Sequence, residues 1–378
     1  MPTPPPSPFD AKPAILARPP AFWIMDLIQN NAAFLDGKLR ELGFQDLMSS
    51  RPSNLTEAQQ AKIKATMARY STRDQVAIQG MAGDVRVYQQ WAKYRDTYEP
   101  HPAMTRGLMK MKADSTVPGG VLRRLRHRNP MFLLPGAPEI IHADEQRGRI
   151  IALQVTGSVS TRYPYVGNMR LSGGAGRGLA VDTDDSEANA YQVGVVSEIH
   201  NADGTHVVDM DVLHLTVPLY GDFTVDELVS RTTGFVWTPD LLGTDDESRR
   251  RYMETAARVA VSHLLYACSR TVEIDDKPRA SRPPAKPKKG EPKRVSARVY
   301  RMGWRLGAAI EDVLRRPAER RQPGPGTGKK LASHVRAAHM HMYRVGPGRQ
   351  EIEFQLLAPI PVNQHLDDGK TITNHPMR

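Results

Sequence analysis

Residues 334–349, HVRAAHMHMYRVGPGR, concentrate side chains that can do chemistry. Histidine takes and gives protons near pH 7, arginine holds phosphate through paired hydrogen bonds, and histidine or tyrosine can stack on bases. The segment is therefore a candidate for RNA contact. The residues we expect to make that contact are His334, Arg336, His339, His341, Tyr343, Arg344 and Arg349.

The centre of this segment has the pattern of a β-strand, whose side chains alternate between two faces. One face then carries His339, His341 and Tyr343, and the other carries Met340, Met342 and Arg344. His334 and Arg336 fall on the Met340 face unless a bulge at Ala337 and Ala338 changes the register. Residues 351–363, EIEFQLLAPIPVN, are expected to pair with this strand across the Gly-Pro-Gly turn.

Several chemical interpretations of the segment remain open, but a metal site is not favoured. Zinc needs three or four converging ligands, and two neighbouring histidines with a distant third supply too few. We therefore expect no metal and no cofactor. The alternatives are RNA or phosphate contact, an ordinary structural hairpin, and a ribonuclease with His339 and His341 as acid and base. In the ribonuclease, Arg344 or Arg336 would stabilise the charge that develops on the phosphate.

The positive charge is concentrated in the C-terminal third of the 378 residues. The net charge is +11, yet residues 277–301 hold ten Lys or Arg against Glu291, and residues 315–349 hold nine against Glu319. Together the two blocks carry +17, so the rest of the chain carries −6. Such blocks are typical of a protein with a polyanionic partner, or of solvated linkers. The candidate phosphate contacts here are Lys286, Lys288, Lys289, Lys293 and Arg294.

Composition bounds the class of protein. Cys268 is the single cysteine and lies in an apolar run, which excludes an internal disulfide framework and predicts a buried, inert thiol. No apolar run approaches the roughly 20 residues of a membrane helix. We expect a soluble protein of the bacterial cytoplasm with no membrane partner.

The order of periodic segments predicts an α+β fold. Helical spacing runs from about residue 20 to Tyr98, with Thr56 as an N-cap and Gln59 three residues on. Period-two segments and turn signals follow over about 131–220. The predicted regions are a disordered proline-rich lead (1–20), a helical region (21–115), a mixed β-rich domain with closing helices (116–274), a basic linker (275–294), a C-terminal signature region (295–365) and a tail (366–378).

The C-terminal third resembles a known family. HVRAAHMHMYRVGPGR, followed by EIEFQLLAPIPVN, is similar to the closing signature of a type V-A anti-CRISPR family, and RVYRMGWRLG resembles a segment just upstream in that family. The resemblance is specific over about 255–363. Beside the histidines, the positions that carry it are Tyr300, Gly303, Gly307, Gly346, Gly348 and Asn363. A tryptophan between the two family histidines is Met340 here, which weakens the case for base stacking.

The resemblance implies a function and partners. The family is known for lowering the mRNA of a CRISPR nuclease during translation, by sensing the N-terminal part of the nascent polypeptide. It therefore implies an adaptor-like regulator, encoded on a phage or plasmid, with a nascent polypeptide as one partner and mRNA or the ribosome as the other. A ribonuclease or a plain RNA-binding module remains the alternative.

Overall fold

The computed structural model describes most of the chain in several stretches. They are residues 20–44, 56–70, 72–112, 114–137, 139–141, 147–159, 181–182, 188–200, 206–236, 246–280, 296–315, 334–345, 347–349 and 351–362. Residues 1–19 of the predicted proline-rich lead, residues 281–294 of the basic linker and the tail lie outside these residues. So do the candidates Lys286, Lys288, Lys289, Lys293 and Arg294, and the signature residues Gly346 and Asn363.

Seven α-helices lie in the described residues, three of them before the first strand. They are α1 (Pro20–Glu41), α2 (Glu57–Met67), α3 (Thr72–Tyr94), α4 (Pro102–Leu108), α5 (Val225–Val236), α6 (Asp246–Ala267) and α7 (Trp304–Arg315). The start of α2 is the predicted capping box: Gln59 N–H donates to Thr56 Oγ1, and Gln59 Oε1 accepts from Thr56 N–H. A short 3-10 turn covers Gly119–Arg124.

The strands are β1 (Asp96–Pro100), β2 (Val117–Pro118), β3 (Met131–Leu133), β4 (Glu139–Ile141), β5 (Arg147–Val159), β6 (Val181–Asp182), β7 (Ala190–His200), β8 (His206–Pro218), β9 (Asp222–Phe223), β10 (Arg279–Ala280), β11 (Arg298–Met302), β12 (His334–Arg336), β13 (His339–Val345), β14 (Glu351–Leu357) and β15 (Ile360–Val362). The α+β class is thus confirmed, with helices at the N-terminus and a β-rich middle.

A single mixed sheet of nine described strands organises the protein. Its order is β10-β11-β1-β3-β5-β7-β8, with β4 and β6 also paired to β5. The neighbours β11, β1 and β3 are parallel, and the other described pairs are antiparallel. The sheet therefore joins β1 to β11, two strands about 200 residues apart in sequence.

Helices cover both faces of the sheet. Ile24, Ile28 and Trp91 from α1 and α3 pack on one face, against residues such as Met131 and Ile151. On the other face, the apolar side of α6 packs against Tyr98, Phe132 and residues of the long strands β5, β7 and β8. These layers bury the central strands on both sides, so side chains at the ends of β1 and β11 are held in fixed positions.

The helical spacing past residue 94 was misleading. Helix α3 ends at Tyr94, Arg95 takes a left-handed φ of 65°, and the chain turns directly into β1. The Trp91 indole N–H donates to the Asp96 carbonyl at 3.1 Å and lies 3.2 Å from Thr97 Oγ1. This side chain ties the helix to the strand that follows it, a long-range role that helical periodicity does not reveal.

Among the described residues, no helix is long and apolar enough to cross a membrane. Cys268 is buried, its thiol donates to the Leu122 carbonyl at 3.3 Å, and burial raises the pKa of this thiol to about 12. A thiol with so high a pKa stays protonated at neutral pH, so Cys268 is unsuited to act as a nucleophile.

Candidate nucleic-acid interface

The predicted C-terminal hairpin is present. Strands β13 and β14 pair antiparallel, with His339 opposite Leu357, His341 opposite Gln355 and Tyr343 opposite Glu353. Gly348, in the connecting turn, has a φ of 67°, a left-handed value that glycine adopts without the cost of a Cβ clash. The left-handed backbone of the turn therefore explains the glycine at position 348.

One face of β13 forms a row of rings. The centroids of His339 and His341 lie 6.5 Å apart, those of His341 and Tyr343 lie 4.6 Å apart, and both pairs meet edge to face. His341 is exposed, His339 is half-buried, and Tyr343 is among the few large apolar side chains in the described chain that remain exposed. We call His339, His341 and Tyr343 the histidine face.

The tautomer of His339 follows from one contact. Its Nδ1 lies 3.1 Å from the carbonyl oxygen of Ala337. A carbonyl only accepts hydrogen bonds, so Nδ1 carries the proton and Nε2 of the neutral ring is left as an acceptor. His339 can therefore accept a proton or a hydrogen bond from a ligand at Nε2.

The other side of the hairpin is attached to the core. Leu356 and Ala338 are almost fully buried in the same apolar cluster as α6, and the Ser269 hydroxyl donates to the Leu356 carbonyl at 3.4 Å. In the ladder, Leu356 is paired with Met340 and alternates with Gln355 and Leu357, the partners of His341 and His339. The histidine face is thus presented outward by a hairpin whose reverse side is fixed.

His334 and Arg336 do not continue β13. They belong to β12, which pairs with β15 so that His334 lies opposite Val362 and Arg336 opposite Ile360. Ala337 and Ala338 lie outside both ladders, so the chain changes register at the position where the sequence allows a bulge. Arg336 is exposed, whereas the side chains of His334, Arg344 and Arg349 lie outside the described part of the structure.

The two upstream signature glycines, Gly303 and Gly307, are explained by backbone conformation and close packing. Gly303 has a φ of 66°, and a Cβ there would lie 3.0 Å from Met104 Cε and 3.1 Å from the Tyr266 hydroxyl. Gly307 packs against His101 so closely that a Cβ would collide with the imidazole ring. These two glycines therefore hold α7 against α4, and they do not themselves provide chemistry.

Tyr300, the third upstream signature residue, belongs to a polar cluster that the sequence did not reveal. It lies opposite Tyr98 in the β1–β11 ladder, and His127 stacks on it with ring centroids 4.5 Å apart and an interplanar angle of 27°. His127 Nδ1 lies 2.8 Å from the Tyr98 hydroxyl. We call Tyr98, His127 and Tyr300 the tyrosine-histidine cluster.

Charged residues border this cluster. Arg298 Nη2 donates to Asp96 Oδ2 at 2.8 Å and to the Tyr94 carbonyl at 2.6 Å. Asp96 is buried, and its Oδ1 makes no hydrogen bond of ordinary geometry among the described residues. The carboxylate is still near enough to Tyr300 to add to the effect of burial, which raises the pKa of that phenol.

The pKa values of the cluster keep its members neutral. Burial lowers the pKa of His127, and Arg126 and Arg298 lower it further while Asp96 opposes them. Burial also raises the pKa of Tyr98. At neutral pH the cluster therefore consists of a neutral imidazole and two protonated phenols. In the sequence, the signals for this site are the signature residue Tyr300 and the basic stretch RRLRHR at 123–128.

The described residues include no group of three or more His, Cys, Asp or Glu arranged to hold a metal ion. The arrangement instead offers an exposed row of rings on a hairpin and a half-buried imidazole beside arginines. Both are suited to contact with a nucleic acid, through stacking and through hydrogen bonds to phosphate.

Comparison with known proteins finds a matching family and similar solved structures. A family model for AcrVA2-like proteins, described as the anti-CRISPR type V subtype A2 family, matches residues 98–364. No curated protein matches the chain. A solved structure, the crystal structure of AcrVA2, is 14% identical over 91% of this chain and 98% of that chain, with a TM-score of 0.46. The family match begins within β1 and spans the rest of the sheet, helices α4 to α7 and the C-terminal hairpin, whereas α1, α2 and α3 precede it.

Proposed function

Since this chain belongs to the AcrVA2-like family of type V subtype A2 anti-CRISPR proteins, we propose that it is an anti-CRISPR regulator that binds a nascent polypeptide and promotes loss of its mRNA during translation. The single observation that supports this proposal most is the family match over residues 98–364. The expected partners are the N-terminal segment of a CRISPR nuclease and the mRNA or ribosome that carries it.

The histidine face suits a binding role. Its three rings stand in a row on a paired strand, and the strand is fixed by the burial of Leu356 and Ala338 on its reverse side. A rigid row of rings loses little conformational entropy when it binds a partner, and imidazole and phenol rings both stack and form hydrogen bonds. In this proposal the face contacts RNA, and the helical and β-rich body contacts the peptide.

A ribonuclease remains the second candidate, and one observation favours it. The rings of His339 and His341 are 6.5 Å apart on an exposed face, and His339 Nε2 is available as an acceptor. However, Arg336 lies in a different ladder, that of β12 with β15. The three described rings of the histidine face include no guanidinium or ammonium group, which a developing phosphate charge needs for stabilisation.

The proposal is tested by recovering the tagged protein from cells that express a type V nuclease. RNA and ribosomes bound to it are then sequenced. The proposal predicts enrichment of ribosomes that carry the nuclease transcript, and loss of that enrichment after puromycin releases nascent chains. Enrichment of the transcript that survives puromycin would contradict recognition of the nascent polypeptide.

A second measurement separates the two candidates. Purified protein is incubated with the transcript in the absence of ribosomes and host nucleases. The regulator leaves the transcript intact, whereas cleavage that disappears in His339→Ala would replace the proposal with the ribonuclease.

A further inference from the structure

The tyrosine-histidine cluster lies beside an exposed arginine-rich stretch. Arg123, Arg124, Arg126 and Arg128 are exposed, and half-buried His127 stands among them. The Arg123 guanidinium lies 4.6 Å from the ring centroid of Tyr220, whereas Arg126 forms no ion pair with any acid among the described residues. A positive surface therefore surrounds a single accessible imidazole.

The buried Tyr98 hydroxyl determines which nitrogen of His127 carries the proton. Tyr98 is fully buried, and its hydroxyl has no hydrogen-bond partner in the described chain other than His127 Nδ1. A buried O–H without an acceptor is costly, so the phenol donates to Nδ1. Because the ring is neutral, its proton is on Nε2.

Nε2–H of His127 is therefore a hydrogen-bond donor that the described protein leaves unused. This atom forms no hydrogen bond to a described residue, and His127 as a whole is only half-buried. Arg298 uses Nη2 for both of its described bonds, which leaves its other guanidinium N–H groups available. Arg298 and Arg126 are both near enough to the His127 imidazole to lower its pKa, and Arg126 also acts on the pKa values of Tyr98 and Tyr300.

We propose that His127 Nε2–H, Arg126 and Arg298 bind a backbone phosphate of single-stranded RNA. A neutral imidazole donor beside guanidinium groups is suited to a phosphate oxygen, because charge-assisted hydrogen bonds are the stronger class. RNA is favoured over an acidic peptide because four exposed arginines occur within six residues, matching a chain that carries one phosphate per nucleotide. The ring of His127 and the phenol beneath it also offer an aromatic platform next to that phosphate.

This site is separate from the histidine face, and it does not depend on how the nuclease transcript is lost. It would give the body of the protein an RNA contact of its own. Failure of this proposal leaves the puromycin experiment unaffected, and failure of that experiment leaves this site untouched.

The test is binding of a fluorescein-labelled oligouridylate of twelve nucleotides to the full-length protein, followed by fluorescence anisotropy. His127→Phe keeps a ring on Tyr300 but removes the donor, and Arg126→Ala removes one guanidinium. Each is expected to weaken binding about tenfold. Arg126→Ala should also lower the slope of log affinity against log salt by about 0.7.

Two matched variants give the controls. Arg250→Ala removes an exposed arginine of α6 that pairs with Glu254, and its affinity should stay within about twofold of the parent. His127→Gln places an amide N–H near the position of Nε2, and it should recover most of the affinity that His127→Phe loses.

Unchanged affinity in both His127→Phe and Arg126→Ala overturns the proposal. An equal loss in Arg250→Ala overturns it as well, because the effect is then net charge alone. Displacement of the oligouridylate by a poly-glutamate peptide of the same charge at the same concentration would replace RNA with an acidic peptide as the ligand.

Discussion

Gly307 lies against the imidazole of His101, so closely that a Cβ on Gly307 would overlap Cβ, Cγ and Nδ1 of that ring. His101 cannot easily move. Its Nδ1 accepts from the Ala103 N–H at 3.2 Å, its ring meets Trp304 edge to face, and its Nε2 lies 3.6 Å from Glu311 Oε2. The signature glycine of α7 is therefore explained by the cap of α4.

Gly307→Ala is expected to destabilise the protein by about 1–3 kcal/mol, the usual cost of forcing an atom into a packed contact. The measurement is the free energy of unfolding from urea titration. Gly37→Ala is the matched control, because a Cβ at Gly37 has no atom within 4 Å and alanine is the better helix former within α1. Equal stability in the Gly307→Ala variant and the parent would show that α7 and α4 do not pack as described.

The free energy of unfolding is expected to decrease at pH values below about 6.5, because of His263. This side chain is fully buried in α6, its Nδ1 lies 2.7 Å from the Val259 carbonyl, and burial lowers its pKa to about 4. The unfolded chain binds this proton more tightly than the folded protein does. The contribution of neutral His263 to stability is therefore complete at neutral pH and is lost as the pH falls from about 6.5 to about 4. The loss between pH 7 and pH 5 is roughly 2 kcal/mol.

His263→Gln tests that assignment. Urea titrations at pH 7 and pH 5 should show a smaller pH effect in this variant than in the parent, by roughly the same 2 kcal/mol. His101 and His127 also have lowered pKa values, so part of the pH effect should remain. An identical pH effect in variant and parent would remove His263 as a cause.

The sequence predicted the elements better than their assembly. The long strands β5, β7 and β8 follow from local period-two patterns, and the hairpin follows from alternation around a Gly-Pro-Gly turn. The pairing of β1 with β11 does not, because β1 is a five-residue strand directly after a helix and its partner lies about 200 residues away. The predicted regions 116–274 and 295–365 accordingly assign strands of one sheet to different regions. The boundaries of these regions stay predictions.

The candidate site was predicted in part for the same reason. His339, His341 and Tyr343 lie within one strand, so their common face could be read from spacing. The tyrosine-histidine cluster draws Tyr98, His127 and Tyr300 from three separate segments. The register of β1 with β11 places Tyr98 opposite Tyr300, and the loop before β3 brings His127 against both. Tyr300 was identified by family resemblance, without any indication that its neighbour would be His127.

The histidine face should affect function without affecting stability. The double variant His339→Ala, His341→Ala removes one exposed and one half-buried ring from a hairpin held by its reverse side, so unfolding should change by less than about 1 kcal/mol. We expect the variant to lose most of its ability to deplete the target transcript, measured by quantitative PCR in cells. Full depletion by the double variant would assign the hairpin a structural role.

The basic linker should act through charge alone. Replacing Lys286, Lys288, Lys289 and Lys293 with glutamine is expected to weaken binding to single-stranded RNA and to lower the salt slope by up to about 3, since each phosphate contact contributes about 0.7. The measurement is anisotropy over a range of salt concentrations. An unchanged slope would remove these lysines as phosphate contacts.

The central claim is that transcript loss depends on translation of the target, and paired reporters test it most directly. Both encode the N-terminal segment of a type V nuclease, and one carries a mutated start codon that abolishes translation while changing only the start codon of the RNA. We predict that the protein lowers the level of the translated transcript and leaves the untranslated one unchanged. Equal depletion of both transcripts would contradict the account and favour direct action on RNA.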